Sequence, residues 1–210
     1  MSKITEVAEL VEKGKAKLVG AAVQGALDEG CDATEILSSM IDAMAVVGEK
    51  FKNGEIFVPE MLVAARAMKK GVEVLKPHLA TGATGSMGKL IIATVAGDLH
   101  DIGKNLVAMM IESAGFEVND LGVDVPASKI IECYKENPDV KVIALSALLT
   151  TTMPSLKDTV AAINAEDFRG KVKVMVGGAP ITDAFAKEIG ADGYSEDAAS
   201  AAVLAKALVA

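Results

Sequence analysis

The sequence predicts an α/β chain in two parts: an N-terminal four-helix bundle, then a flavodoxin-like (Rossmann-like) doubly wound sheet of five parallel strands. Three observations predict it. Apolar residues in the first 80 positions recur at helical spacing. After a Gly-rich stretch the pattern changes to short continuous apolar runs separated by helical segments. The composition, 51% hydrophobic and 24% charged over 210 residues, supplies cores for one to two domains.

In the first part, Met61, Ala65, Met68, Val72 and Leu75 step by four, three, four and three, which lines one helix face. Ile36, Leu37, Met40, Ile41, Met44 and Val47 do the same one segment earlier. Gly14, Gly30 with Asp32, and Lys52-Asn53-Gly54 divide the region into about four helices. Pro59 stands where a helix can start, because its missing N–H would be unpaired there anyway. This bundle is expected over residues 1–80.

Thr81-Gly82-Ala83-Thr84-Gly85-Ser86-Met87-Gly88 holds three glycines and three hydroxyl residues, so residues 81–88 read as a flexible linker. The second domain is expected over residues 89–210. Its apolar runs, Leu90–Ala96, Phe116–Leu121, Val142–Leu145 and Val172–Val176, read as strands buried on both faces, with a weaker fifth near Asp192–Ser195. Helical patterns follow at Lys104–Ala114, Ser128–Lys135, Ser155–Ala165, Thr182–Ile189 and Asp197–Val209.

The charge balance narrows the partners. Lys and Arg total 21 against 29 Asp and Glu, a net charge of −8, and aromatics are 3%. Nucleic-acid binding draws on clustered cations and stacking aromatics, so neither nucleic acid nor an anionic membrane surface is an expected partner. No signal core and no uncharged run of transmembrane length stands out. Cys31 and Cys133 form no C-x-x-C pair and read as two buried thiols, which suits a cytoplasmic location.

In sheets of this kind ligands bind at the carboxyl ends of the strands, where the strand order reverses. For order 2-1-3-4-5 the relevant loops follow strands one, three and four. Here they are Gly97-Asp98-Leu99-His100-Asp101-Ile102-Gly103, Ser146-Ala147-Leu148-Leu149-Thr150-Thr151-Thr152 and Gly177-Gly178-Ala179-Pro180. His100, one of two histidines, lies between two aspartates; an imidazole oriented by a carboxylate is a common metal ligand. The same residues also read as a surface histidine in a helix-capping loop. Gly177-Gly178 reads either as a tight turn or as a place where backbone approaches a ligand. A phosphoacceptor receiver domain shares the topology but requires an aspartate where Ser146 stands. A mononucleotide site would want a P-loop lysine, and these loops carry no aromatic residue to sandwich a flavin.

Asp98-x-His100-x-x-Gly103, Ser146-x-Leu148 and Gly177-Gly178 together resemble the cobalamin-binding signature shared by methionine synthase and other corrinoid proteins. The segment from Gly48 to Glu60 resembles the helical cap that precedes this domain in methyl-transferring members. The resemblance covers nearly the whole chain, and a helical cap plus corrinoid domain of this length looks like the corrinoid protein of methylamine, methanol and related methyltransferase systems. It implies a bound cobalamin, base-off, with His100 as lower axial ligand to cobalt and Asp98 hydrogen-bonded to that imidazole. Thr152 stands where methionine synthase has a serine and would complete a proton relay. Asp101, Ile102 and Gly103 would complete the cofactor loop. Ser146, Leu148 and Thr150 would line the channel for the nucleotide tail, with Gly177 and Gly178 letting it run deep beside the sheet. Phe51 and Val58 match the pair that shields the upper face, the second being a leucine in methionine synthase.

The implied role is a methyl carrier with little turnover alone. Its cobalt would cycle between Co(I) and methyl-Co(III). Expected partners are a substrate-specific methyltransferase, a second methyltransferase to coenzyme M or tetrahydrofolate, and a reductive activase, in methanogenesis or acetogenesis. The sequence leaves the donor open among methylamines, quaternary amines, methanol and methoxyaromatics. A cobalamin-dependent regulatory sensor is the alternative, although such sensors usually carry a DNA-binding segment. Mutase small subunits resemble only the second half.

Overall fold

The computed structural model describes residues 2–79 and 87–210, which fall into two compact units. Residues 81–86 of the stretch read as a linker lie outside the described residues, and Gly88 opens the first strand.

The first unit consists of α1 (Lys3–Glu12), α2 (Ala16–Asp28), α3 (Ala33–Lys52) and α4 (Val58–Leu75), closed by a 3₁₀ turn at Lys76–His78. The helix starts follow side-chain chemistry. Ser2 accepts the Thr5 N–H at 3.2 Å, and Asp32 accepts those of Thr34 and Glu35 at 2.8 and 3.2 Å. These bonds satisfy amides that a helix start leaves without partners. Before α4, Glu60 accepts the Phe57 N–H at 3.1 Å, with Pro59 in the first turn. The stripes read from the sequence are the buried faces: Ile36 and Met40 on α3, and Met61, Ala65, Met68 and Leu75 on α4, are buried, as are Val7 and Val11 on α1 and Val19 and Val23 on α2. Each such large apolar side chain contributes about 1.5–3 kcal/mol by leaving water. Ile41 and Val72, at the stripe margins, are half-buried.

The second unit is a five-stranded parallel sheet of order β2-β1-β3-β4-β5. Its strands are β1 (Gly88–Thr94), β2 (Phe116–Asp120), β3 (Val140–Ser146), β4 (Lys173–Gly177) and β5 (Gly193–Ser195). They alternate with α5 (Ile102–Ser113), α6 (Ala127–Glu136), α7 (Met153–Asn164), α8 (Asp183–Glu188) and α9 (Ala198–Val209). Consecutive residues Leu90 to Thr94 are all buried, because a doubly wound sheet has no solvent face. Ile91, Ala93, Ile143, Leu145, Val174 and Val176 share one core with Ile130, Tyr134, Leu156, Val160 and Ile163 of α6 and α7. On this sheet α9 packs over β3, β4 and β5 through its alanines.

Three details differ from the sequence reading. The first strand runs two residues earlier than expected, because beyond Thr94 the chain turns aside and Val95 makes only an isolated bridge to Val125. Helices α5, α6 and α7 start one or two residues sooner than their apolar patterns. Cys133 is buried, but Cys31 is only half-buried, in the turn between α2 and α3. Among the described residues no helix is long and apolar enough to cross a membrane.

The register positions the site. Thr94 pairs with Ser146, Ser146 with Gly177, and Gly177 with Ser195, so four strand ends form one row. The loops after β1, β3 and β4 leave from that row.

Candidate functional site

His100 and Asp98 sit on the loop between β1 and α5. Asp98 is fully buried while the His100 side chain is 48% exposed. Asp98 Oδ1 lies 2.7 Å from His100 Nδ1 and accepts the His100 backbone N–H at 3.1 Å. Asp98 Oδ2 accepts the Leu148 N–H at 2.7 Å and the Thr152 hydroxyl at 2.8 Å. Burial alone would raise the Asp98 carboxyl. The bonds from Leu148, Thr152 and His100 outweigh it and hold the group well below the ordinary carboxylate range. An ionised Asp98 can only accept, so Nδ1 of His100 carries a proton, and in the neutral imidazole Nε2 is then the nitrogen with the lone pair. Nε2 has no hydrogen-bond partner among the described residues.

Besides Thr152, the loop after β3 contributes the Ala147–Leu148 peptide. The Leu148 N–H reaches Asp98, while the Ala147 carbonyl, the other end of that peptide, faces β4. There a Cβ on Gly178 would fall 1.9 Å from the Ala147 oxygen, and Gly178 has φ +125°. Only glycine admits this approach. Gly178, the first residue after β4, is therefore part of what aims a donor at Asp98.

The main chain of the histidine loop is also fixed. Thr94 Oγ1 donates to the His100 carbonyl at 2.9 Å and lies 2.9 Å from Ser146 Oγ. A hydroxyl has one proton, so Ser146 donates to Thr94. Gly97, at φ +81°, donates its N–H to Asp124 Oδ1 at 2.7 Å, and Asp124 returns its own N–H to the Asp98 carbonyl at 2.9 Å.

Among the residues singled out from the sequence, Asp98, His100, Leu148 and Thr152 are brought together by direct hydrogen bonds. Ser146 joins through Thr94, and Gly178 through the Ala147–Leu148 peptide. Gly177 is the strand-end residue beside Ser146. Thr150 is exposed in the 3₁₀ turn before α7. Asp101 precedes α5, its backbone carbonyl accepting the Asn105 backbone N–H at 2.7 Å and its carboxylate the Asn105 side-chain amide at 3.2 Å, with Ile102 and Gly103 exposed in the first turn. Phe51 and Val58 belong to the helical unit, at the end of α3 and the start of α4; Phe51 is half-buried and Val58 exposed.

Thr94 and Asp124 carry no local signal in the sequence that marks them as site residues. Lys104, in the first turn of α5, is buried, ion-paired with Asp120 and donating to Asn105 Oδ1 at 2.7 Å. Around His100 the edge is apolar and open: Leu99 and Ile102 are 73% and 83% exposed, Leu148 and Leu149 both 41%. An imidazole nitrogen on a loop that also exposes apolar side chains can ligate a metal presented on a large, partly apolar group.

Comparison with known proteins identifies the family. Residues 88–203 match a family described as B12 binding domain, and residues 4–76 match a second family of the same description. The chain is 46% identical over 210 residues to dimethylamine corrinoid protein 1 of Methanosarcina acetivorans, covering 99% of this chain and 97% of that one. A cobalamin-binding protein from Desulfitobacterium hafniense has a similar structure, with TM-score 0.84 and 32% identity over 99% of this chain and 98% of that one. So does a chain of the methanol:cobalamin methyltransferase complex MtaBC from Methanosarcina barkeri, with TM-score 0.82 and 30% identity over 99% of this chain and 79% of that one. The chain belongs to the corrinoid protein family.

Proposed function

We propose that the chain binds cobalamin base-off through His100 and serves as a methyl carrier between two methyltransferases. The observation that carries this reading is the free Nε2 of His100, backed by a carboxylate that is itself fixed by three further bonds. A single imidazole is too small a donor set to hold a metal ion by itself, but it suits a metal already held in a macrocycle. The residues present fit the group.

Bound cobalamin would supply a cobalt able to accept a methyl group and give it up again. The protein's part is to manage one proton and one lone pair. His100 supplies the nitrogen ligand. Asp98 holds the Nδ1 proton, which keeps Nε2 free and raises its basicity. Thr152 and Leu148 keep Asp98 in place, and the Thr152 hydroxyl is the relay's third member. Leu99, Ile102 and Leu148 give the corrin an apolar seat that sheds water. Asp101 and Gly103 complete that loop. Ser146, Thr150, Gly177 and Gly178 border the strand ends where the nucleotide tail would enter. By the same resemblance, Phe51 and Val58 would shield the reactive face.

Similarity to a dimethylamine corrinoid protein favours a methylated amine as donor, loaded by a substrate-specific methyltransferase. The acceptor enzyme would use coenzyme M or tetrahydrofolate, a reductive activase would restore lapsed cobalt, and the setting would be the cytoplasm. The test is reconstitution with hydroxocobalamin followed by gel filtration. Corrinoid absorbance co-eluting with the protein is expected; corrinoid recovered only at the small-molecule volume would overturn the reading.

A further inference from the structure

Asp124 is the one non-glycine residue with positive φ, +54°, among the described residues. Aspartate tolerates this conformation better than most residues because its short side chain can bond nearby backbone. Here, however, the side chain reaches 27 positions back. Its Oδ1 accepts the Gly97 N–H at 2.7 Å, and its own N–H donates to the Asp98 carbonyl at 2.9 Å. Asp124 thus grips both sides of the Gly97–Asp98 pair.

These bonds are not needed to join β1 to its neighbour. Thr94 N–H to the Gly122 carbonyl at 3.0 Å, Val125 N–H to the Thr94 carbonyl at 3.0 Å, and the Val95–Val125 bridge already do that. The Asp124 bonds lie beyond them, on the loop that carries the histidine. The sheet order places β1 between β2 and β3. Asp98 is therefore held from both flanks, its main chain by the turn after β2 and its carboxylate by Leu148 and Thr152 after β3. Strained backbone of this kind persists where surrounding contacts demand it.

We propose that Asp124 is a positioning residue for His100: by clamping Gly97 and Asp98 from the β2 side it fixes where the Asp98 carboxylate meets the imidazole. This rests on the cobalamin reading for its consequence, but not for its test. Asp124 is exposed, so replacing it disturbs no core.

Three variants separate its two properties. Asp124→Asn keeps an acceptor oxygen and tolerance of positive φ. Asp124→Gly keeps only the conformation. Asp124→Ala keeps neither. The first readout is long-range ¹H–¹⁵N NMR of the apoprotein at about pH 8.5, above the usual imidazole range. The chain has two histidines, so His100 is readily assigned. Wild type and Asp124→Asn should show His100 with the proton on Nδ1. In Asp124→Ala the ratio of that tautomer to the other should fall about fivefold, the effect of one ordinary hydrogen bond.

The second readout is the electron paramagnetic resonance spectrum of the Co(II)-cobalamin-loaded chain. Protein-nitrogen splitting should persist in Asp124→Asn and weaken in Asp124→Ala. Should Asp124→Ala fail to fold, Asp124→Gly against Asp124→Asn decides: a lower Nδ1–H fraction in the glycine variant supports the clamp, and identical His100 signals overturn it. Wild-type tautomer ratios throughout the series also overturn it. If the wild type retains no cobalamin, the functional reading fails while the apoprotein NMR still settles the role of Asp124.

Discussion

Thr152 Oγ1 donates to Asp98 Oδ2 at 2.8 Å across 54 positions of sequence, with both residues shut away from solvent. The hydroxyl also lies 2.9 Å from the Leu149 carbonyl, and since it has one proton the two acceptors share it. Of the two, only Asp98 carries a charge. Thr152→Val keeps the shape and removes the donor. We expect it to lower apoprotein stability by about 1.5–3 kcal/mol, the range for hydrogen bonds to charged groups, as a fall in the urea midpoint. Thr152→Ser should recover most of that loss. An unchanged midpoint in the valine variant would show that the bond contributes nothing.

Asp98 predicts a pH dependence whose sign is fixed. Its carboxyl titrates below the ordinary range in the folded chain and at about 3.9 when unfolded. The folded state therefore favours the ionised form. The resulting stability is complete above about pH 4 and is lost as the pH falls towards the folded value. The stability difference between wild type and Asp98→Asn, measured by urea denaturation of the apoproteins, should shrink from about pH 7 to about pH 3. A constant difference would mean that the charge of Asp98 is not what the fold stabilises.

Gly178 predicts a steric result. A Cβ there would lie 1.9 Å from the Ala147 oxygen, whereas one on Gly177 would meet the Ser195 carbonyl oxygen at 3.1 Å, a contact that a small shift relieves. Gly178→Ala should therefore cost at least about 2 kcal/mol and Gly177→Ala distinctly less. It should also turn the Leu148 amide away from Asp98, because carbonyl and amide belong to one peptide. Thermal melts of the two variants check the order, and equal melting temperatures would contradict it.

How much of this was legible beforehand depends on the range of each interaction. The continuous apolar run from Leu90 to Ala93 announces a strand buried on both sides because burial is written in the residue itself. Asp98 and His100 are two positions apart, so a local motif captures their pairing. Thr94 was hidden because its reach to the His100 carbonyl depends on the register that sets it beside Ser146. Asp124 looked like any loop aspartate, since a sequence does not display the sign of φ. Lys104 reads as a surface lysine in a first helical turn; only the fold brings Asp120 to it and closes it off from water. Cys31 was expected to be buried, but the turn after Gly30 leaves it half-open.

The imidazole of His100 is proposed to ligate cobalt. The most direct measurement is the electron paramagnetic resonance of the Co(II)-cobalamin complex, prepared once with natural protein and once with [¹⁵N]histidine-labelled protein. Nitrogen-14 has spin 1 and nitrogen-15 spin 1/2, so a histidine ligand must convert each triplet into a doublet on labelling, and His100→Ala must lose the splitting while His78→Ala keeps it. A triplet that survives labelling would place the cofactor's own benzimidazole nitrogen on cobalt and contradict the assignment of His100.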